Sequence, residues 1–106
     1  MLRVSALYPH RDGARFDHDY YQKNHLDLVR EKMGPHGLVR AEADRGLPGP
    51  DGGPPPFVAA AHLYFESADA FQKAFATAGE AVMADVPNYT DIEPQVQISE
   101  IAVDGG

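Results

Sequence analysis

The sequence predicts one α+β domain in which a four-stranded antiparallel sheet carries two helices on one face. Three observations predict it. Strand-period and helix-period stretches alternate in the order β-α-β-β-α-β, and nearly every change of period is marked by Gly, Pro or a capping residue. The 106 residues, 43% of them apolar, suffice for one hydrophobic core and not for two. The whole chain, residues 1–106, is therefore read as a single domain.

Residues 2–8 alternate loosely in β-tolerant types and end at Pro9, where Pro9-His10-Arg11-Asp12-Gly13 reads as a turn. Asp17 stands at a helix cap with Asp19 in the first turn. Residues 17–33 hold neither Gly nor Pro, and Tyr21, His25, Leu28, Val29 and Lys32 share a stripe at helical spacing, stopped by Gly34-Pro35. Residues 37–45 alternate as a strand, with Val39, Ala41 and Ala43 on one face and Leu38, Arg40, Glu42 and Asp44 on the other. In residues 46–56 only Leu47 and Asp51 are neither Gly nor Pro, which makes that stretch a loop. Residues 57–65 alternate again. Ser67 caps a second helix over 68–78, carrying Phe71, Ala74, Phe75 and Ala78 on one stripe. Gly79 is expected to break it, with a further turn over 80–86 before Pro87-Asn88-Tyr89. Residues 95–103 form the last strand.

This order is the split βαβ, or ferredoxin-like, arrangement. One sheet face collects Val4, Ala6, Tyr8, Val39, Ala41, Ala43, Phe57, Ala59, Ala61, Leu63, Phe65, Val96 and Ile98 and belongs under the helices. The other mixes Leu38, Val58, Ala60, Tyr64 and Ile101 with Ser5, Arg40, His62, Gln97 and Ser99. A half-apolar face with aromatic content suits sheet-on-sheet contact with a second copy. A symmetric homodimer is expected, with His62, Tyr64 and Gln97 at its interface and His62 facing Glu42 or Glu100.

Nine Lys plus Arg against sixteen Asp plus Glu leave a formal charge of −7, which repels phosphate backbones and anionic lipid and argues against nucleic-acid and membrane partners. Without cysteine there is no disulfide, thiol nucleophile or thiolate metal site. The apolar stretch over residues 4–8 is too short for a signal peptide or a membrane span, and a cytoplasmic protein is expected. No metal is expected either: His18 and His25 lie about 10.5 Å apart along the helix, too far for one ion. His10, His18 and His36 lie in or near turns and are expected in solvent. Residues 49–53 lack the lysine and following helix of a phosphate loop, and Ser5, Ser67 and Ser99 lack a nucleophile-elbow context.

Two stretches carry a family pattern. The first joins Leu7-Tyr8-Pro9 to Phe16-Asp17-His18-Asp19-Tyr20-Tyr21 and Asn24-His25-Leu26-Asp27-Leu28-Val29. The second joins Ala61-His62-Leu63-Tyr64-Phe65-Glu66-Ser67 to Phe71, Asp85, Pro87-Asn88-Tyr89-Thr90-Asp91-Ile92-Glu93-Pro94 and Gln97-Ile98-Ser99-Glu100. The helix-borne Tyr-x-x-x-His together with the later Pro-Asn-Tyr-Thr-Asp resembles the EthD family, named for a protein of ethyl tert-butyl ether degradation. The resemblance implies a dimeric α+β barrel with the helices outside. Its superfamily includes cofactor-free monooxygenases, isomerases, dehydratases and haem-handling proteins, so the fold leaves the chemistry open.

His25 is the leading candidate for chemistry. Its stripe turns the ring toward the sheet, where an imidazole gives or takes a proton near neutrality. Tyr21, one turn earlier, is placed to orient it, and the EthD pattern has a histidine at this helix position. The competing reading is a core-facing histidine bonded to a backbone carbonyl or to Tyr21. Tyr8, Leu28, Tyr89, Asn88 and Asp85 are the candidate substrate contacts: Tyr8 at a strand end, and Asp85 to Asp91 as a closing segment. The plainer readings are a core aromatic for Tyr8 and an ordinary turn for Pro87-Asn88-Tyr89.

Three functions stand on this basis. The first is a cofactor-free enzyme acting by acid–base or oxidative chemistry on a small apolar organic compound held in a cavity around His25. The second is a non-catalytic accessory that binds such a compound for a partner oxygenase, such as a cytochrome P450. The third is a haem-binding barrel with His25 as axial ligand.

Overall fold

In the computed structural model, which describes residues 1–105, strand β1 (Leu2–Pro9) leads through a turn into a helical run, α1, over residues 18–33. A single 3-10 turn (Gly34–His36) follows, then β2 (Leu38–Arg45), β3 (Phe57–Phe65), helix α2 (Ala68–Ala84), a second 3-10 turn (Val86–Asn88) and β4 (Gln95–Glu100). The strands form one antiparallel sheet in the order β2-β3-β1-β4. Both helices lie on the same face, the ferredoxin-like arrangement expected from the order of elements.

The predicted caps form. Asp17 accepts the amide of Tyr20 at 3.1 Å, and Ser67 that of Ala70 at 3.1 Å, each satisfying a first-turn donor that has no partner within its helix. The exit from α1 differs from expectation: Gly34 stays helical, and the chain turns away at Gly37, whose φ of 99° is left-handed and favours a residue without Cβ.

Three differences share one cause, tertiary geometry overriding local signals. Between Tyr21 and Leu26 the helix opens into a π-turn, in which the Leu26 amide reaches back to the Tyr21 carbonyl. The extra residue rotates all that follows, so Leu26, at 1% exposure, enters the core with Val29 and Met33, while Lys32 is exposed and Leu28 half-buried. A register shift between Leu38 and Arg40 turns Leu38 toward the helices and leaves Val39 exposed, reversing the expected faces at that end. Helix α2 runs unbroken through Gly79, which is buried. A Cβ there would lie 2.9 Å from Cδ2 of Phe75, so the missing side chain is the space in which the Phe75 ring rests. Glycine at mid-helix costs about 1 kcal/mol relative to alanine.

The core has two parts. One gathers Val4, Val29, Met33, Phe65, Ala74, Ala78 and Val82; the other is aromatic and gathers Tyr8, Tyr21, Leu26, Ala59, Ala61, Tyr89 and Ile92. Val96 and Ile98 lie on the helix side of β4 as expected, but the helices do not reach over them and both stay more than half exposed. Phe57, also assigned to the core face, is 36% exposed at its strand end, and β4 stops at Glu100 rather than 103. The opposite sheet face carries Ser5, Ala60, His62, Tyr64 and Gln97, with no element of the chain packed over it among the described residues.

Candidate functional site

Where the two core clusters meet, between the helices and the sheet, lies a hollow of about 80 Å³. Its wall is aliphatic and aromatic, built from Val4, Ala6, Val29, Leu63, Phe71 and Val82 among others, with His25 and Tyr8 as its titratable members. The π-turn places His25 there: as its last residue, the histidine comes off the helix toward the sheet at 4% exposure.

A chain of hydrogen bonds runs through the ring. Nδ1 of His25 lies 2.9 Å from Oδ2 of Asp85, and Nε2 lies 3.4 Å from the Tyr89 hydroxyl, which is 2.5 Å from the Tyr8 hydroxyl. Asp85 also receives the Tyr20 hydroxyl at 2.7 Å and the Asn88 side-chain amide at 2.9 Å, both on Oδ1. Burial would raise the Asp85 carboxyl, but hydrogen bonds from Asn88, Tyr20 and His25 outweigh it and leave it below its ordinary value. Burial pulls His25 below its ordinary 6.5, against the opposing pull of Asp85. The pair at neutral pH is therefore a carboxylate and a neutral imidazole.

These charge states fix the protons. A carboxylate only accepts, so Nδ1 of His25 carries the hydrogen and Nε2 presents its lone pair. Tyr89 then donates to Nε2 and Tyr8 donates to Tyr89, which leaves the Tyr8 oxygen able to accept a further hydrogen bond. Burial raises both phenols above their ordinary 10.0, so they enter the chain as neutral hydroxyls.

The local chain explains why Tyr89 is there. Phe16 and Thr90 form an isolated antiparallel bridge, the Asp17 amide donates to the Tyr89 carbonyl at 2.8 Å, and the Thr90 hydroxyl donates to the Arg15 carbonyl at 2.7 Å. The start of α1 and the segment after α2 are thus tied together, and Tyr8, Phe16, Tyr21 and Tyr89 pack mainly edge to face, with ring centres 5.0–5.9 Å apart.

The structure sorts the sequence candidates unevenly. His25 and Tyr8 line the hollow, and Tyr89 lies one hydrogen bond behind them. Tyr21 stacks on His25 at 5.7 Å, nearly parallel, but its hydroxyl is buried without a hydrogen-bond partner and does not orient the imidazole. Asp85 and Asn88, read as substrate contacts, face His25 and each other instead. Leu28 lies outside the hollow, in a shallow groove with Tyr20, Asn24 and Asp85, because the π-turn shifts the helical phase. Sequence reasoning missed Tyr20, Phe75 and Gly79. His18 is half-buried against Phe16, ring centres 4.6 Å apart, and burial lowers its pKa; it is not the solvated histidine expected.

His62, Tyr64 and Gln97 lie on the open sheet face. His62 stands directly across β2–β3 from Glu42, one of its two expected neighbours, but its ring hydrogen-bonds to Ser5 at 2.8 Å and Asp44 at 3.3 Å. Tyr64 donates to Glu42, which also holds Arg40, and Gln97 donates to Ser99. Ser5, His62 and Asp44 have the residue types of a nucleophilic triad. Ser5, however, sits on a strand whose backbone is engaged by β3 and β4 on both sides, leaving no pair of free amides to stabilise an oxyanion.

The hollow does not fit a haem: a space of about 80 Å³ cannot take a porphyrin, and both nitrogens of His25 are engaged. Among the described residues no three His, Asp or Glu side chains converge as metal ligands, and no helix is long and apolar enough to cross a membrane.

A model of the EthD domain matches residues 13–93. The chain belongs to the EthD family. An EthD-like protein of known structure from Ralstonia eutropha is 38% identical and superposes with a TM-score of 0.90 over 97% of this chain and 93% of its own. An uncharacterised 11.0 kDa protein from the thcB-thcC intergenic region of Rhodococcus erythropolis is 36% identical over 91 residues, 84% of each chain. The fold extends further: SnoaB, a cofactor-independent oxygenase from Streptomyces nogalater, matches with a TM-score of 0.66 at 12% identity, over 98% of this chain and 94% of its own. At that identity the likeness is one of fold.

Proposed function

We propose that this EthD protein binds a small, mostly apolar compound bearing one hydroxyl and removes its proton, with His25 as the base. The carrying observation is the continuous line Asp85–His25–Tyr89–Tyr8, which ends at an apolar hollow. The ligand hydroxyl donates to the Tyr8 oxygen. As that proton passes to Tyr8, the Tyr8 proton moves to Tyr89 and the Tyr89 proton to Nε2 of His25. The resulting imidazolium is held by the Asp85 carboxylate, whose negative charge it offsets. The product is an electron-rich phenolate or enolate in an apolar site, the form of substrate that reacts in proton shifts, dehydration or attack by oxygen. The likeness of fold to a cofactor-independent oxygenase supports the last of these as a class.

The assembly we propose is a homodimer closed through the open sheet face, with His62, Tyr64 and Gln97 inside it. His62, Tyr64 and Gln97 already have partners within the chain, which lowers the cost of burying them. Sedimentation equilibrium should find a dimer for the natural chain and a monomer for Ala60→Arg, whose charge would stand at the centre of the buried face.

A probe that reports its own ionisation tests the base. 4-Nitrophenol absorbs visible light as its anion. The natural chain should raise the anion fraction of bound probe above that in buffer at the same pH, and His25→Phe should abolish the rise. Binding with no ionisation in the natural chain would instead make the protein a carrier of such compounds, the role of an accessory to an oxygenase.

A further inference from the structure

We propose that Phe75, seated on Gly79, sets the size of compound that the His25 hollow admits, confining it to a single ring without a bulky substituent. The inference rests on reading the hollow as a ligand site.

The two residues stand one helical turn apart on α2 and both line the hollow. The Phe75 ring occupies the space of the missing side chain, since a Cβ at position 79 would meet three of its carbons at 2.9–3.0 Å. Yet Phe75 is 50% exposed, so core packing does not require its ring to lie there. An alanine at 79, with the ring turned to solvent, would make a better helix. What the glycine provides is a position: an aromatic ring laid on the wall of the hollow, a wall that also includes Met83 and Val96, both exposed. Turning the ring away uncovers Gly79 and gives up its contact with Phe71, ring centres 5.7 Å apart.

Size follows from volume. An apolar cavity of about 150 Å³ takes benzene, whereas this one measures about 80 Å³. With Phe75 on its seat, the space holds a fragment smaller than an aromatic ring. Room for an aromatic ring therefore requires Phe75 to swing off Gly79. Longer or fused skeletons would need the mouth held open past that point.

The test compares phenol with 4-tert-butylphenol, by calorimetric titration, on the natural chain, Phe75→Ala and Gly79→Ala. The natural chain should favour phenol. Phe75→Ala should improve 4-tert-butylphenol relative to phenol by about tenfold or more, the scale on which apolar pockets discriminate by bulk. Gly79→Ala should move the preference the same way by pushing the ring off its seat, so the two variants check each other through different atoms. An unchanged preference in both would overturn the assignment. Absence of phenol binding to the natural chain would overturn it together with the ligand-site reading, whereas persistence of probe ionisation in His25→Phe with the size preference intact would overturn the base alone.

Discussion

Replacing Asp85 by asparagine tests the site at its hinge. The carboxylate collects three donors: Tyr20 at 2.7 Å and Asn88 at 2.9 Å on Oδ1, and His25 at 2.9 Å on Oδ2. An amide keeps one acceptor oxygen and turns the other into a donor. If that oxygen stays with Tyr20 and Asn88, the new NH2 faces Nδ1 of His25, and the imidazole must move its hydrogen to Nε2 to accept it. A hydrogen bond to a charged partner is worth about 1.5–3 kcal/mol, and the tautomer change restores part of that with a neutral bond. The net loss of stability should be about 2 kcal/mol. For a domain of this length that is a fall in Tm of about 10 °C. In the variant Nε2 would donate to Tyr89, the relay would run backwards, and ionisation of bound 4-nitrophenol would disappear. Urea unfolding and nitrogen-15 spectra of the histidine rings measure the two effects. A cost below about 0.5 kcal/mol together with an unchanged His25 tautomer would refute the assignment of Asp85 as the residue that fixes the base.

Tyr8→Phe keeps the ring among Phe16, Tyr21 and Tyr89 and removes the hydroxyl bonded to Tyr89; stability should fall by about 1 kcal/mol, while ionisation of bound 4-nitrophenol is lost. Persistence of that ionisation would mean that the proton does not travel through Tyr8. Leu26→Ala should cost about 3 kcal/mol and Leu28→Ala less than about 1 kcal/mol in urea unfolding; equal costs would contradict the π-turn's shift of the helix face. Stability should also depend on pH through His25. Its native pKa lies below its ordinary 6.5, so between the two values the unfolded chain holds a proton that the folded chain lacks. Stability is then full above about pH 6.5 and declines as pH falls through that window. Asp85, held below its ordinary 3.8, adds a separate loss in stronger acid. His25→Gln should flatten the first decline and leave the second.

The fold was legible because each signal that encodes it is local. Asp17 and Ser67 announce the helix starts by their own chemistry, alternation marks the strands, and the Gly/Pro stretch over 46–56 admits nothing packed. The errors fall where contacts distant in sequence decide. Nothing in Tyr21-Gln22-Lys23-Asn24-His25 distinguishes a π-turn from an α-turn, yet one extra residue exchanges Leu28 for Leu26 in the core. Gly79 reads as a helix breaker by propensity, and its use as a seat is visible only with Phe75 lying on it. His25 could be picked from its stripe and its residue type. Its partner could not, because Asp85 lies sixty residues away and its spacing to His25 obeys no local period. Tyr20 was hidden for the same reason.

All of the proposed chemistry depends on where the hydrogen of His25 resides. Nitrogen-15 shifts of that ring at pH 7, with nitrogen–carbon-bound proton correlations to tell the two nitrogens apart, read this directly. The geometry requires a neutral ring protonated at Nδ1, toward Asp85, with a bare Nε2 facing Tyr89. A ring protonated at both nitrogens, or at Nε2 alone, would contradict it.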